Sequence, residues 1–251
     1  MRALAGVLCA LTVCAIAFRP APVRAQQPLV ADLSEHLLAI TTGFTGARVL
    51  LFGAVEDAGE VVVVVRGPSE SVTMRRKSRV AGIWMNTDAV SFADVPAFYA
   101  LSASAPLHEI TTPSVRARNR IGVSQLDLEP GSSELAGPEL AAWQEGLIRA
   151  KQRNGHYAQK AGRVVFLGRT LFRTELFFPA TVPTGHYQVE VYLMKDGEVV
   201  SAQTTPLIVS KAGLEAEIFQ IAHQRAALYG IAAVLVAAFA GWLASVIFRR
   251  E

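Results

Sequence analysis

Pro183-Thr184-Gly185-His186-Tyr187 runs into Gln188-Val189-Glu190-Val191-Tyr192-Leu193, and Asp196-Gly197 follows before Val199 to Val209. The middle stretch alternates polar and apolar residues with period two, as a strand with one buried face must. Asp-Gly is a two-residue hairpin signal, so Val199 to Val209 is expected as the return strand. A turn containing Pro and Gly, then a tyrosine at the start of an alternating strand, matches the corner that enters strand F of immunoglobulin-like sandwiches. There the hydroxyl bonds back to the backbone, so Tyr187 is given a structural role and no catalytic one.

Working outward, Val61 to Val65 is five valines in a row, which suits a central strand buried on both faces. Further runs rich in β-branched and apolar residues lie at 36–41, 47–55, 72–76, 82–85, 89–92, 98–102, 164–167 and 171–178. Thr111 to Gly137 is polar, with Pro113, Pro130 and Gly131, and reads as a long loop. Pro138 then opens a helix that Asn154-Gly155 closes. Leu140, Trp143, Leu147 and Lys151 fall on one stripe of it, predicting that Trp143 packs on the sandwich. The fold class expected is mainly β: one immunoglobulin-like β-sandwich over 26–211 with a loop and helix insertion at 111–155. Two domains split near residue 125 are the alternative.

Both ends are apolar. Arg2, an uncharged run from Ala3 to Phe18 and Val23-Arg24-Ala25 describe a signal peptide over 1–25. Leu228 to Phe248 gives 21 residues without a charge, followed by Arg249-Arg250. A run of this length predicts a single C-terminal transmembrane helix, 228–248. The arginine pair places the tail, 249–251, in the cytoplasm. The expected setting is a bacterial inner membrane, crossed once, with the large domain in the periplasm. Ala212 to Arg225 reads as an amphipathic helix, completing a juxtamembrane segment over 212–227. Within the span Ala233, Ala237, Gly241 and Ser245 recur every four residues, a spacing that lets a second helix approach closely.

The chemistry-bearing residues are sparse. Cys9 and Cys14 both lie in the signal segment, so the mature chain has neither a disulfide framework nor a thiol nucleophile. The five histidines, at 36, 108, 156, 186 and 223, show no metal-ligand spacing. There is no phosphate-binding glycine loop and no Gly-x-Ser-x-Gly elbow. Asp57, Glu60, Asp94 and Glu109 are carboxylates that only the fold could bring together. No cofactor and no metal is expected, and the net charge of +3 is too mild for nucleic acid. The unusual cluster is Arg75-Arg76-Lys77-Ser78-Arg79 with Trp84 close behind. It suits either an anionic ligand or partner, or a charged edge strand that resists aggregation.

Several of these stretches together resemble an uncharacterised family of transmembrane proteins of alphaproteobacteria. They are Phe44-Thr45-Gly46 through Leu51-Phe52-Gly53-Ala54, Val61 to Val65 with Arg66-Gly67-Pro68, Arg75 to Trp84, Phe166-Leu167-Gly168 with Thr170 to Arg173, and Pro183 to Leu193. The resemblance implies an exported β-rich region and a terminal span, and company with permeases resembling sulfite exporters. It implies no activity.

Two readings follow. One is a non-enzymatic accessory protein of an inner-membrane system, contacting a permease-like partner or itself through the span. The other is a periplasmic domain that binds an anion or small ligand at Arg75, Arg76, Lys77, Arg79 and Trp84.

Overall fold

The computed structural model describes residues 28–131, 137–212 and 226–248. The expected signal segment 1–25, the juxtamembrane stretch from 213 to 225 and the tail 249–251 lie outside the described residues.

Among the described residues the strands form two facing sheets and a separate ribbon. The first sheet runs in the order β1 (Leu29–Leu33), β3 (Gly46–Val55), β10 (Leu171–Pro179), β9 (Val165–Leu167). The second runs β2 (Leu37–Ile40), β12 (Glu198–Lys211), β11 (Gly185–Lys195), β4 (Glu60–Arg66), β7 (Tyr99–Ala103), β8 (Gly162–Arg163). Strands from both ends of the sequence are partners: β3 pairs with β10 and β4 with β11, all antiparallel. Alternation puts Leu29, Ala31 and Leu33 of β1, Val49, Leu51 and Val55 of β3, and Phe172, Leu176 and Phe178 of β10 inward. They meet Val189, Val191, Leu193 and Leu207 of the opposite sheet in one core. Gly53 sits where the first sheet is tightest: a Cβ there would lie 2.5 Å from both the Phe172 ring and the Val30 carbonyl.

The valine run is buried on both faces, every residue from Val61 to Val65 having no exposure. Val61, Val63 and Val65 join the core between the sheets; Val62 and Val64 join a second core on the far side of β4. That second core is roofed by α1 (Leu107–Ile110) and by the segment from Thr111 that the sequence suggests as a loop. That segment holds α2 (Pro113–Arg118) and a 3₁₀ turn at Val123–Gln125. Thr112 caps α2 by accepting from Val115 N, with Pro113 in the first turn. Ile110, Val115 and Ile121 are buried against Val62, Val64 and Tyr99. These helices are too short to show a periodic pattern, which is why the polar composition hides them.

Tyr187 behaves as its position suggests, its hydroxyl donating to Pro183 O at 2.6 Å. Asp196 and Gly197 both have positive φ, as the tight β11–β12 hairpin requires. The helix α3 (Gly137–Arg153) buries Trp143, Leu147 and Lys151. Its apolar stripe does not lie on the two facing sheets, as the spacing suggested. It packs instead on the ribbon formed by β5 (Ser69–Val80) and β6 (Ile83–Pro96), against Val90, Phe92 and Val95.

The last described element is α4 (Ala226–Phe248), 23 residues of uncharged helix. Its described side chains, at 230–231 and 234–245, are all exposed. Judged on the described residues, no helix is long and apolar enough to cross a membrane. The longest unbroken set of described side chains in α4, 234–245, amounts to roughly 18 Å of helix at ~1.5 Å per residue.

Candidate functional site

The basic run lies on the ribbon. β5 and β6 form a two-stranded sheet of their own, with one bridge from Phe92 to Pro130, and are joined by Ala81 and Gly82, both at positive φ. The root of the ribbon is ordinary core: Val72 and Met74 of β5 and Val90, Phe92 and Val95 of β6 pack under α3. A register shift between Arg76 and Lys77 separates this root from the outer half. Such a shift increases local twist, so the outer half can leave the plane of the root.

The register divides the cations between two faces. Side chains alternate along a strand, and directly paired residues share a face. Arg76 therefore lies with Val72 and Met74 on the side of α3, where its guanidinium stacks 4.5 Å from the centre of the Trp143 ring and reaches Glu139 at 4.0 Å. Arg75, Lys77 and Arg79 lie on the other face, joined by Trp84, which pairs with Arg79. Arg79 donates to Gly82 O at 3.2 Å and braces the turn. Three of the four cations and Trp84 thus form one stripe, and the fourth belongs to the packing of α3. The stripe is one side of a two-stranded ribbon.

The tip carries something that charge patterning did not reveal. Val80 is 46% exposed, Ile83 67%, Trp84 68% and Met85 51%, four apolar side chains around one turn. The signal was present in sequence as Ile83-Trp84-Met85 directly after a Gly turn, where a solvent hairpin would carry polar residues.

A second unpredicted surface is the outer face of the first sheet. The register lines up Val30, Ala54, Leu171 and Leu167 in a single apolar row across all four strands. The neighbouring row holds Asp32, Phe52 and Arg173. Together they border an open groove of about 450 Å³. The sequence signal is in β10: Phe172, Thr174, Leu176 and Phe178 point inward, so Leu171 and Phe177 are apolar at outward positions.

The other candidates resolve into structure. Arg66 pairs with Glu190 and donates to Asn119 O at 2.7 Å, while Tyr192 donates to the same carboxylate at 2.6 Å. Tyr99 donates to Arg120 O and accepts from Gly122 N, so this buried cluster latches the α1–α2 segment to the sheet. Burial pushes both Tyr99 and Tyr192 up to about 12, the latter helped by Glu190, so neither hydroxyl is poised as a base at neutral pH. Lys151 is buried in a pair with Glu70. Glu60 accepts from Ser104, and Glu109 lies beside His108, so these carboxylates are engaged separately. Among the described residues no group of three or more His, Cys, Asp or Glu is placed to hold a metal ion. Along α4, Ala237, Gly241 and Ser245 are exposed, and nothing approaches a Cβ built on Gly241 within 4 Å. The side chain of Ala233 lies outside the described residues.

The family model described as "Putative transmembrane protein (Alph_Pro_TM)" matches residues 28–250, which takes in the two facing sheets, the ribbon and α4. The chain belongs to this family. The family is alphaproteobacterial by name, and its description assigns no activity. No protein of curated function matches the chain. Family membership agrees with the resemblance carried by Phe44 to Ala54, Val61 to Pro68 and Pro183 to Leu193.

Proposed function

We propose that the chain is a single-pass inner-membrane protein whose exported β-sandwich is a non-enzymatic interaction module, serving a second protein in the same membrane. The anchor would be α4: 23 uncharged residues make a helix about 34 Å long, against a hydrocarbon core of roughly 30 Å. Arg249-Arg250 sets its direction, with the C-terminus cytoplasmic and the large domain periplasmic. The stripe Ala233, Ala237, Gly241 and Ser245 gives the span a face on which a partner helix packs.

An immunoglobulin-like reading of the sandwich is supported by strand order. Taking β1, β3, β4, β10, β11 and β12 as strands A, B, C, E, F and G, the sheets read A-B-E plus β9, and G-F-C plus β7. That is the division of such sandwiches, and Tyr187 occupies the tyrosine corner of strand F. The ribbon and α1 to α3 are then insertions between strands C and E.

The observation that carries the interaction role is the apolar row Val30, Ala54, Leu171 and Leu167 with its groove, an exposed strip of the outer sheet face flanked by Asp32, Phe52 and Arg173. Contiguous apolar surface of this kind marks contact with another macromolecule. The test is photocrosslinking of the full chain in native membranes, with the reactive residue at Phe52, at Leu171 or, as a control, at Glu198 on the β11–β12 turn. Adducts of one defined mass at Phe52 and Leu171, absent at Glu198, are expected. Adducts at neither position, or only of the chain with itself, would overturn the reading of a second protein.

A further inference from the structure

The outer half of the β5–β6 ribbon differs in kind from every other exposed strand segment described above. The paired segment from Arg75 to Ala89 carries four cations, Arg75, Arg76, Lys77 and Arg79, against one carboxylate, Asp88, which lies opposite Arg76. Its apolar members cluster around Ala81-Gly82; Arg79 shares the level of Trp84, and Lys77, Arg76 and Arg75 lie behind. Val80 pairs with Ile83 at the turn, Arg79 with Trp84 next, Ser78 with Met85, and Lys77 with Asn86, followed past the register shift by Arg76 with Asp88 and Arg75 with Ala89. From Val80 back to Arg75 is five residues, about 16 Å along the strand at ~3.3 Å each.

We propose that the ribbon tip inserts into the surface of an anionic bilayer, as a second and shallow point of attachment beside the anchor. The axial order follows the depth order of a bilayer interface: Val80 and Ile83 deepest, Trp84 with Arg79 at the headgroup boundary, Lys77 and Arg75 among the phosphates. Both faces of the tip expose apolar side chains, Trp84 beside Arg79 on one and Val80, Ile83 and Met85 on the other. A protein groove would cover one face, whereas lipid surrounds both. Burial is limited to the turn, because the outward backbone groups of a two-stranded ribbon have no partners in hydrocarbon. The apolar tip spans about three residue pairs, near 10 Å, which matches the roughly 5–10 Å depth of interfacial segments. The root stays in water, held by α3 through Trp143 and Leu147.

The inference rests on the membrane anchoring proposed above, and three labelling positions separate the two. The full chain, with Cys9→Ser and Cys14→Ser, is reconstituted in nanodiscs of phosphatidylcholine with or without phosphatidylglycerol. An environment-sensitive fluorophore is placed at Ile83→Cys on the tip, Thr73→Cys at the root, or Gly241→Cys on α4, and lipid-borne nitroxides serve as quenchers. The tip label should be quenched in anionic discs and much less in neutral ones, the root label in neither. Changing Arg75, Lys77 and Arg79 to Gln should shift tip docking about fivefold per cation, about a hundredfold together. Met85→Cys, on the same face as Ile83, repeats the reading should Ile83→Cys fold poorly. A quenched Gly241 label with an unquenched tip in both compositions refutes the proposal while leaving the anchor standing. An unquenched Gly241 label refutes the anchor itself, and the tip proposal with it. A tip label shielded from water yet untouched by nitroxides, and more so with more chains per disc, would mean a second copy covers it and would also refute the proposal.

Discussion

Replacing Arg66 by Met should cost about 3 kcal/mol of domain stability, and replacing Glu190 by Gln a similar amount, but the two should not add. The pair is mostly enclosed, with side-chain exposures of 17% and 14%. Met keeps the bulk of the arginine stem. What disappears is the partner of a buried carboxylate and the donor to Asn119 O at 2.7 Å. Glu190 is left with the Tyr192 hydroxyl at 2.6 Å, which does not compensate a charge in a low-dielectric surrounding. Breaking a buried pair typically costs about 3–5 kcal/mol, and the residual exposure puts this one at the lower end. Removing both charges together, as Arg66→Met with Glu190→Gln, leaves no uncompensated ion. Its cost should stay at or below that of the worse single change, giving a coupling of at least about 2 kcal/mol. Urea unfolding followed by the β signal in circular dichroism, on the full chain in detergent, measures all four corners of the cycle. Single losses that sum, to about 6 kcal/mol in the double variant, would show that Arg66 and Glu190 act independently and would refute the latch.

Further outcomes follow from other contacts. Tyr187→Phe keeps the ring against Phe98 and Phe178 but leaves Pro183 O unpaired, so urea unfolding should show a loss of about 1–2 kcal/mol with unchanged slope. Gly53→Ala should destabilise more than the same change at Gly43, an exposed glycine with open space around it, because the Cβ at Gly53 meets Phe172 and the Val30 carbonyl at 2.5 Å; equal melting temperatures for the two variants would refute the tight contact. Tyr99 and Tyr192, held protonated up to about 12 in the fold, release their protons near 10 when unfolded. Their contribution is complete below pH 10 and is lost as pH rises from 10 to 12. Alkaline unfolding should therefore steepen in that window, and Tyr192→Phe should flatten it.

Legibility of the sequence followed the strength of the local pattern. Tyr187 and the Asp196-Gly197 turn could be read because each depends on residues a few positions apart. Val61 to Val65 could be read because five consecutive β-branched residues leave no solvent face. Leu29–Leu33 escaped because five residues of moderate alternation are weak evidence without a partner. The α1–α2 segment escaped because Ile110, Val115 and Ile121 are single buried residues in a polar stretch. At the basic run, sequence supplied the charges but not their division. Only the register with β6 shows that Arg76 leaves the stripe to stack on Trp143, some seventy residues away. The groove row escaped for the same reason, since Val30, Ala54, Leu171 and Leu167 come from four strands.

The pairing of β4 with β11 also has a consequence in time. Val62 lies opposite Tyr192, 130 residues further along the chain by subtraction of their numbers. A ribosome adding about 5–20 residues per second needs roughly 6–26 seconds to cover that interval. Over that interval Val61 to Val65, five valines without a charge, lacks its β11 edge, and until β7 is made it lacks both edges. Slowing translation ahead of β11 should lengthen that exposure and lower the yield.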